Sequence, residues 1–175
     1  MEYKFDERVF REIRRGAVEF AKDLDLKYLV TLNFNELRCK GTANLILGKF
    51  IKRLNVSIFG KRSQKAIICV PSIERHLGGC YHVHIAIEDP ASRLREGVQN
   101  ELSEGELKEL IRMTWEGVDS RTASLRKSCP DDKSWFKKID NQDGALSYIS
   151  KQIGCAEQDA MQWDLFNKSG RRFSF

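Results

Sequence analysis

The sequence predicts an α+β fold, in which a mainly antiparallel sheet of about five strands is flanked by helices. Strand-like and helix-like segments alternate along the chain, and two strand-like segments are close enough to form a hairpin. With 175 residues, 41% of them hydrophobic and 31% charged, the chain suits one globular domain and leaves little room for a second. We therefore expect one domain over residues 1–175, divided into an N-terminal helix (6–23), a core (27–154) and a tail (155–175).

The first 57 residues predict a helix, a strand and a second helix. In segment 6–23 the apolar side chains recur every three or four residues, and Asp6 can cap the helix. Segment 27–34 is β-branched and aromatic, as strands are. Segment 43–57 again shows helical spacing. The apolar positions are Val9, Phe10, Ile13, Ala17 and Phe20 in the first helix, and Leu45, Ile46, Phe50 and Leu54 in the second.

The rest of the core predicts a hairpin and then helix, strand, helix. Strands are expected at 65–74 and 80–88, and Pro71 places the first of them at an edge or a bulge, because proline has no N–H to donate. A helix at 103–117 begins with Ser103, and Glu106 completes a capping box. A short strand at 134–140 precedes a helix at 142–154 that ends at Gly154. The tail 163–175 is basic and aromatic, and it is expected to form either an irregular segment or a final strand that packs on the sheet.

Composition and charge restrict the environment and the partners. No apolar run approaches the roughly 20 residues that span a bilayer. The N-terminus mixes acids with bases and lacks the apolar stretch of a signal peptide. Five cysteines without paired spacing favour a reducing compartment. We therefore expect a cytoplasmic protein that does not bind a membrane.

The net charge of +5 is unevenly distributed. Segment 37–65 contains eight basic residues and no acidic one, whereas 101–119 contains six acidic residues and only two basic ones. This asymmetry indicates a polyanionic partner, and the alternative is a solvated helix face beside a basic loop. If the partner is single-stranded nucleic acid, the contact candidates are Asn33 and Asn35 at the end of the first strand, together with Arg38, Lys40, Lys49, Lys52 and Arg53.

The second hairpin strand contains two of the three histidines of the chain. His82 and His84 alternate along it, so their side chains point to the same face about 6.6 Å apart. A loop at 76–80 would place Glu74 opposite His82 on that face. Two imidazoles and a carboxylate suit a catalytic divalent ion. The alternatives are an ordinary pair of polar residues, or a structural zinc site that includes Cys80 and His76.

The last predicted helix carries a candidate nucleophile. Tyr148 and Lys151 are three residues apart, so they share one helix surface. A phenol is a weak nucleophile at neutral pH, but a divalent ion that polarises a phosphate can offset this weakness. A neighbouring ammonium group would favour the phenolate and the charge that develops on phosphorus. The alternative is a structural role, with Tyr148 half-buried and Lys151 in solvent.

Together these motifs resemble the HUH endonuclease superfamily, and more narrowly its single-tyrosine initiators of rolling-circle replication. The segments "LVTLNFN" (29–35), "ERHLGGCYHVH" (74–84) and "ALSYISKQ" (145–152) are similar to the three motifs of that family and occur in its order. The resemblance implies an RRM-like sandwich in which Glu74, His82 and His84 bind Mg²⁺ or Mn²⁺. It also implies that Tyr148 attacks a phosphate of single-stranded origin DNA, with Lys151 orienting or neutralising that phosphate.

The resemblance also implies a cellular setting, and other enzymes of the same superfamily are alternatives. A plasmid- or phage-encoded initiator would act in the cytoplasm of a bacterial or archaeal cell, as a monomer, and would leave a 3′-OH for a host polymerase, with a host helicase as a further partner. The chain has neither a P-loop motif nor a second tyrosine in a Y-x-x-x-Y arrangement. A transposase or a relaxase of the same superfamily is the alternative enzyme. A nucleic-acid-binding module without catalysis is the alternative of another class.

Overall fold

A computed structural model describes residues 7–35, 39–75, 79–94, 102–119, 135–151 and 160–172. The α-helices in these ranges are α1 (Glu7–Ala21), α2 (Lys40–Phe59), α3 (Glu104–Val118) and α4 (Gln142–Ile149). The strands are β1 (Leu26–Asn33), β2 (Cys69–Arg75), β3 (Tyr81–Glu88) and β4 (Phe136–Lys138), and short 3₁₀ helices lie at Pro90–Arg93 and Trp163–Leu165. The predicted α+β class is confirmed. None of the described helices has the length and apolar character needed to cross a membrane.

The described strands form one antiparallel sheet in the order β2-β3-β1-β4. The expectation of about five strands is corrected, because the described part of the chain provides four. Within the described residues, the tail runs beside β2 and the segment that precedes it, and it makes isolated bridges to β2 at Cys69 and Ser72 and to the preceding segment at Lys65. Pro71 of β2 has no N–H for a continuous ladder, and the 3₁₀ helix Trp163–Leu165 interrupts the tail. Pro71 lies in an edge strand of the sheet, as predicted.

The sheet separates two apolar layers. Val83, Ile85 and Ile87 of β3 are fully buried on one face, in a core that includes residues of α2 and α3. The other face of β3 carries His82, His84 and Ala86, and Ala86 belongs to a second core formed with α1, α4 and the tail. This alternation follows from the two-residue period of a strand. As a result, α1 and α4 lie on the histidine side of the sheet, and α2 and α3 on the opposite side.

Several predicted element boundaries differ from the structure, and the helix expected at 43–57 extends over Lys40–Phe59. The strand expected at 65–74 begins at Cys69, because the N–H groups before it bond to separate partners: Ala66 to Gly170 O, Ile67 to Asn55 Oδ1 and Ile68 to Glu88 Oε1. The strand expected at 134–140 contains only Phe136–Lys138. The helix expected to reach Gly154 ends at Ile149, and Gly154 lies outside the described residues. There the Ser150 hydroxyl donates to Ser147 O, a local bond that competes with the helix.

The helix caps and faces are predicted in part. The capping box of Ser103 and Glu106 is confirmed at the start of α3. In α1, Phe10 and Ala17 are buried as expected, but Val9, Ile13 and Phe20 are exposed. In α2, Ile46, Phe50 and Leu54 are buried, whereas Leu45 is exposed. The apolar stripe of each helix is therefore wider than the surface that its neighbours in the described structure cover.

Candidate metal centre

The β2–β3 register brings the predicted ligands together. Glu74 pairs with His82 and Ser72 pairs with His84, as the expected hairpin register requires. Residues directly opposite each other in an antiparallel pair share a face, so the carboxylate and both imidazoles project to the side of α1 and α4. The side chains of Glu74, His82 and His84 are buried. The hairpin prediction is therefore confirmed in register and in facing.

Within this cluster the donor atoms converge. His82 Nε2 lies 3.0 Å from His84 Nε2. Glu74 Oε2 lies 3.4 Å from His82 Nε2 and 3.6 Å from His84 Nε2. Donors bound to one ion at 2.0–2.2 Å lie about 3.0–3.6 Å apart, so the three separations fit a shared ion. The buried group Glu74, His82 and His84 can therefore hold a metal ion.

Electrostatics favour an ionised carboxylate at this position. Burial raises the pKa of Glu74, but His82, His84 and Lys151 together lower it by more than burial raises it, so the pKa lies below its ordinary value. Glu74 Oε1 and the neighbouring Ser72 Oγ are buried and accept or donate no hydrogen bond within the described structure. Unsatisfied buried polar atoms are costly. An ion with bound water would supply the missing partners, which supports the fit of a cation to this donor set.

The residue that orients His84 was missed by the sequence analysis. Thr31 of β1 pairs with His84, and its Oγ1 lies 3.0 Å from His84 Nδ1. A hydrogen bond at one imidazole nitrogen fixes the ring orientation and directs the other nitrogen at the ligand position. The sequence contained only an indirect sign of this role, which is that Thr31 lies in the segment 29–35. Its pairing with His84 could not be predicted, because β1 and β3 are not consecutive strands in the sequence.

Tyr148 and Lys151 lie on the same side of the sheet as this cluster. The Tyr148 ring is 4.9 Å from the His84 ring between centroids, and it is 44% exposed. Lys151 Nζ lies 3.7 Å from the centre of the Tyr148 ring and 3.2 Å from Glu74 Oε2. Although α4 ends before Lys151, a bond from Lys151 N to Tyr148 O continues the turn. The structure therefore joins the phenol, the ammonium group and the ligand cluster in one site.

The predicted DNA contacts divide between two sides of the sheet. Asn33 pairs with His82 and faces the site, and Asn35 follows β1 at the same end of that strand. Lys40 begins α2, and Lys49, Lys52 and Arg53 line a groove of about 600 Å³ between α2 and α3, on the opposite side of the sheet. Arg38 lies outside the described residues. The groove residues therefore do not join the metal cluster, and their contact with DNA stays a prediction.

The alternative zinc site has less support from the structure. The described Cys80 is partly buried and does not belong to the ligand group of Glu74, His82 and His84. His76 lies outside the described residues. Two imidazoles and one carboxylate, unlike a closed set of four Cys and His ligands, leave coordination positions for water and substrate.

Comparisons of the chain with protein-family models, with curated proteins and with solved structures found no match. What the site does must therefore follow from its own donor set, its burial and its neighbours.

Proposed function

We propose that this protein is a metal-dependent enzyme that nicks and rejoins single-stranded DNA through a covalent bond to Tyr148, and that it initiates rolling-circle replication. The observation that carries the proposal is the position of Lys151. Its ammonium nitrogen lies 3.2 Å from Glu74 Oε2 and 3.7 Å from the Tyr148 ring centre. A candidate nucleophile, a cation and a cation-binding cluster thus occupy one side of the sheet, as phosphoryl transfer requires.

In this proposal Glu74, His82 and His84 hold the divalent ion. When bound, the ion supplies Lewis acidity to a phosphate oxygen. Thr31 keeps His84 in orientation through its hydrogen bond to Nδ1. The donor set contains two nitrogens, so Mn²⁺ is expected to support activity at least as well as Mg²⁺, which prefers oxygen ligands.

Tyr148 is the proposed nucleophile. Its phenol oxygen bonds to phosphorus while the bond from phosphorus to the 3′ oxygen breaks. The phenol proton passes to solvent, and the 3′ oxygen takes up a proton to become a free hydroxyl. One phosphodiester bond is lost and one is formed, so the reverse reaction can rejoin the strand without a separate energy source.

Lys151 has two proposed tasks. Near the Tyr148 ring, its positive charge stabilises the negative charge that develops as the phenol attacks phosphorus, and near the cluster it offsets the negative charge of an incoming phosphate. The partner implied is an unpaired strand of origin DNA, and the product is a 3′-OH that a host polymerase can extend. The cytoplasm of a bacterial or archaeal host of a plasmid or phage is the proposed setting.

Adduct formation tests this proposal. Incubation with a pool of single-stranded oligonucleotides and Mn²⁺ should give a protein–DNA adduct that survives denaturation, and a chelator should prevent it. Tyr148→Phe should abolish the adduct, whereas Tyr28→Phe, which changes a buried tyrosine in the opposite core, should retain it. An adduct that persists in Tyr148→Phe would show that another residue is the nucleophile.

The groove between α2 and α3 favours a second candidate function, a nucleic-acid-binding module without catalysis. Lys49, Lys52 and Arg53 line that groove away from the metal cluster. Such a module would bind DNA with a strong dependence on salt and none on chelator. Salt-dependent binding without an adduct in either Mn²⁺ or Mg²⁺ would favour this candidate over the enzyme.

A further inference from the structure

An aromatic cluster is exposed on the same side of the sheet as the proposed active site. Phe20 of α1 is 47% exposed and Trp163 of the tail is 48% exposed. Their ring centroids are 6.4 Å apart, in an edge-to-face arrangement. Two large aromatic side chains from separate elements are therefore half-exposed and lie next to each other.

The two exposed rings pack on the apolar core of the protein. Phe166 is buried, and its ring lies 5.1 Å from the Phe20 ring and 6.2 Å from the Trp163 ring between centroids. Phe166 belongs to the apolar core that also contains Leu146 and Ile149 of α4. The exposed rings are therefore held by the same core that positions the helix of Tyr148.

Positive charge accompanies the exposed rings. Lys168 Nζ lies 4.7 Å from the centre of the Phe20 ring, and the exposed Arg171 follows in the same segment. Asp164 is the acidic residue next to Trp163 in the sequence. Aromatic rings beside cationic side chains are the combination that binds unpaired nucleic acid, because bases stack on the rings and phosphates pair with the cations.

The tail connects this cluster to the metal site. Met161 forms a bridge with Ser72, which pairs with His84. Trp163 follows two residues later, and two extended residues span at most about 7 Å. Two inter-strand spacings of about 4.8 Å together with this step keep the backbone of Trp163 within about 17 Å of that of His84, a distance that a few nucleotides can span.

We propose that Phe20, Trp163 and Lys168 form a stacking platform for an unpaired base of the DNA strand, a few nucleotides from the scissile phosphate. The inference rests on the proposed function for its choice of ligand. The platform supplies affinity for any base, because every base offers a π face, and it keeps the flanking strand in place during the reaction.

The test measures binding without chemistry. The background is Tyr148→Phe in the presence of a chelator, and the probe is a fluorescent single-stranded oligothymidine. Trp163→Leu and Phe20→Leu keep apolar volume but remove the aromatic face, and each should weaken binding about 5- to 100-fold. Trp163→Phe should retain most of the affinity. Leu45→Ala, which removes exposed apolar surface on α2 at the opposite face, is the matched control and should bind like the background.

Abasic probes sharpen the test. If Trp163 stacks on a base, removal of that base should weaken binding to the background variant but should add little to the loss in Trp163→Leu. Equal binding by background and platform variants would overturn the inference, as would an equal loss in Leu45→Ala. Concentration-dependent dimers that Trp163→Leu abolishes, with DNA affinity unchanged, would assign the surface to a second copy of the chain.

The two proposals fail separately. If the parent chain forms the adduct while the platform variants bind DNA normally, the platform is wrong and the enzyme stands. If binding depends on Phe20 and Trp163 but no metal yields an adduct, the nicking activity is wrong and the platform stands.

Discussion

At the scale of single residues, the hydroxyl of Thr31 determines how His84 presents its second nitrogen. Thr31→Val keeps the shape of the side chain but removes Oγ1, which lies 3.0 Å from His84 Nδ1. We expect this change to weaken Mn²⁺ binding about 10- to 100-fold, as the loss of such an orienting bond typically does. Isothermal titration with Mn²⁺ measures the effect, and Thr31→Ser should restore most of the affinity. Unchanged binding in Thr31→Val would mean that packing alone orients His84.

Two cysteines should differ sharply in reactivity. Burial raises the pKa of Cys69 to about 12, so its thiol stays protonated at neutral pH. Cys39 is exposed at the start of α2, where the polar groups of Thr42 and Gly41 lower the pKa of its thiol. Because the thiolate is the reactive form, iodoacetamide should label Cys39 rapidly and Cys69 only after unfolding. Mass spectrometry of peptides from native and urea-treated protein checks this, and rapid native labelling of Cys69 would contradict it.

The ligands of the candidate site could be predicted because they lie close together in the sequence. A hairpin loop fixes which residues face each other, so Glu74 and His82 could be paired from loop length alone. Thr31 could not be found in this way, since its pairing with His84 depends on how β1 docks against β3. The same limit applies to the groove residues Lys49 and Lys52: their charge is visible in the sequence, but the side of the sheet is not.

At the scale of elements, the tail stabilises the carboxyl end of α2. Arg172 donates to Asn55 O, Gly60 O and Lys61 O, at 3.3, 2.7 and 2.9 Å, and to Lys65 O at 3.3 Å. Gly60 and Lys61 follow the last residue of α2, so their carbonyls have no partner within the helix, and a cation at this end also complements the helix dipole.

Loss of this cap should be measurable. Arg172→Ala should lower the free energy of unfolding by about 1.5–3 kcal/mol, the range for bonds to a charged donor. Urea denaturation measures the change. The neighbouring Arg171 is exposed, so Arg171→Ala should change the stability by less than about 0.5 kcal/mol. Equal effects of the two substitutions would refute the capping role.

Element types could be predicted more securely than element ends. The capping box at Ser103 marked the start of α3 correctly, because its two bonds are local in sequence. The start of β2 was predicted too early, because the N–H groups of Ala66, Ile67 and Ile68 bond to the tail, α2 and β3. These partners are distant in sequence, so the pattern of residues 65–68 alone contains no sign of them.

At the scale of the whole molecule, the sheet separates two positively charged regions. Lys151 and Lys168 lie on the side of α1 and α4, near the metal cluster and the aromatic platform respectively. Lys49, Lys52 and Arg53 lie on the other side, in the groove between α2 and α3. A helix with its side chains is about 10–12 Å across, and the sheet adds to this thickness. At physiological ionic strength the screening length is about 8 Å, so the groove charges act weakly on a phosphate at the metal site.

This separation predicts how salt should affect variants of the two regions. In single-stranded DNA each neutralised phosphate contributes about −0.7 to the slope of log affinity against log salt. The variant Lys49→Gln/Lys52→Gln should leave that slope and the affinity for a short oligonucleotide unchanged, because a strand that crosses the metal site does not reach the groove. Lys168→Gln should reduce the slope by up to about 0.7, because it removes a cation beside the proposed platform. Fluorescence anisotropy over a range of salt concentrations measures both. If the groove variant loses slope with a short strand, the DNA path crosses α2 and α3, and the predicted contacts of Lys49 and Lys52 belong to the same strand as Tyr148.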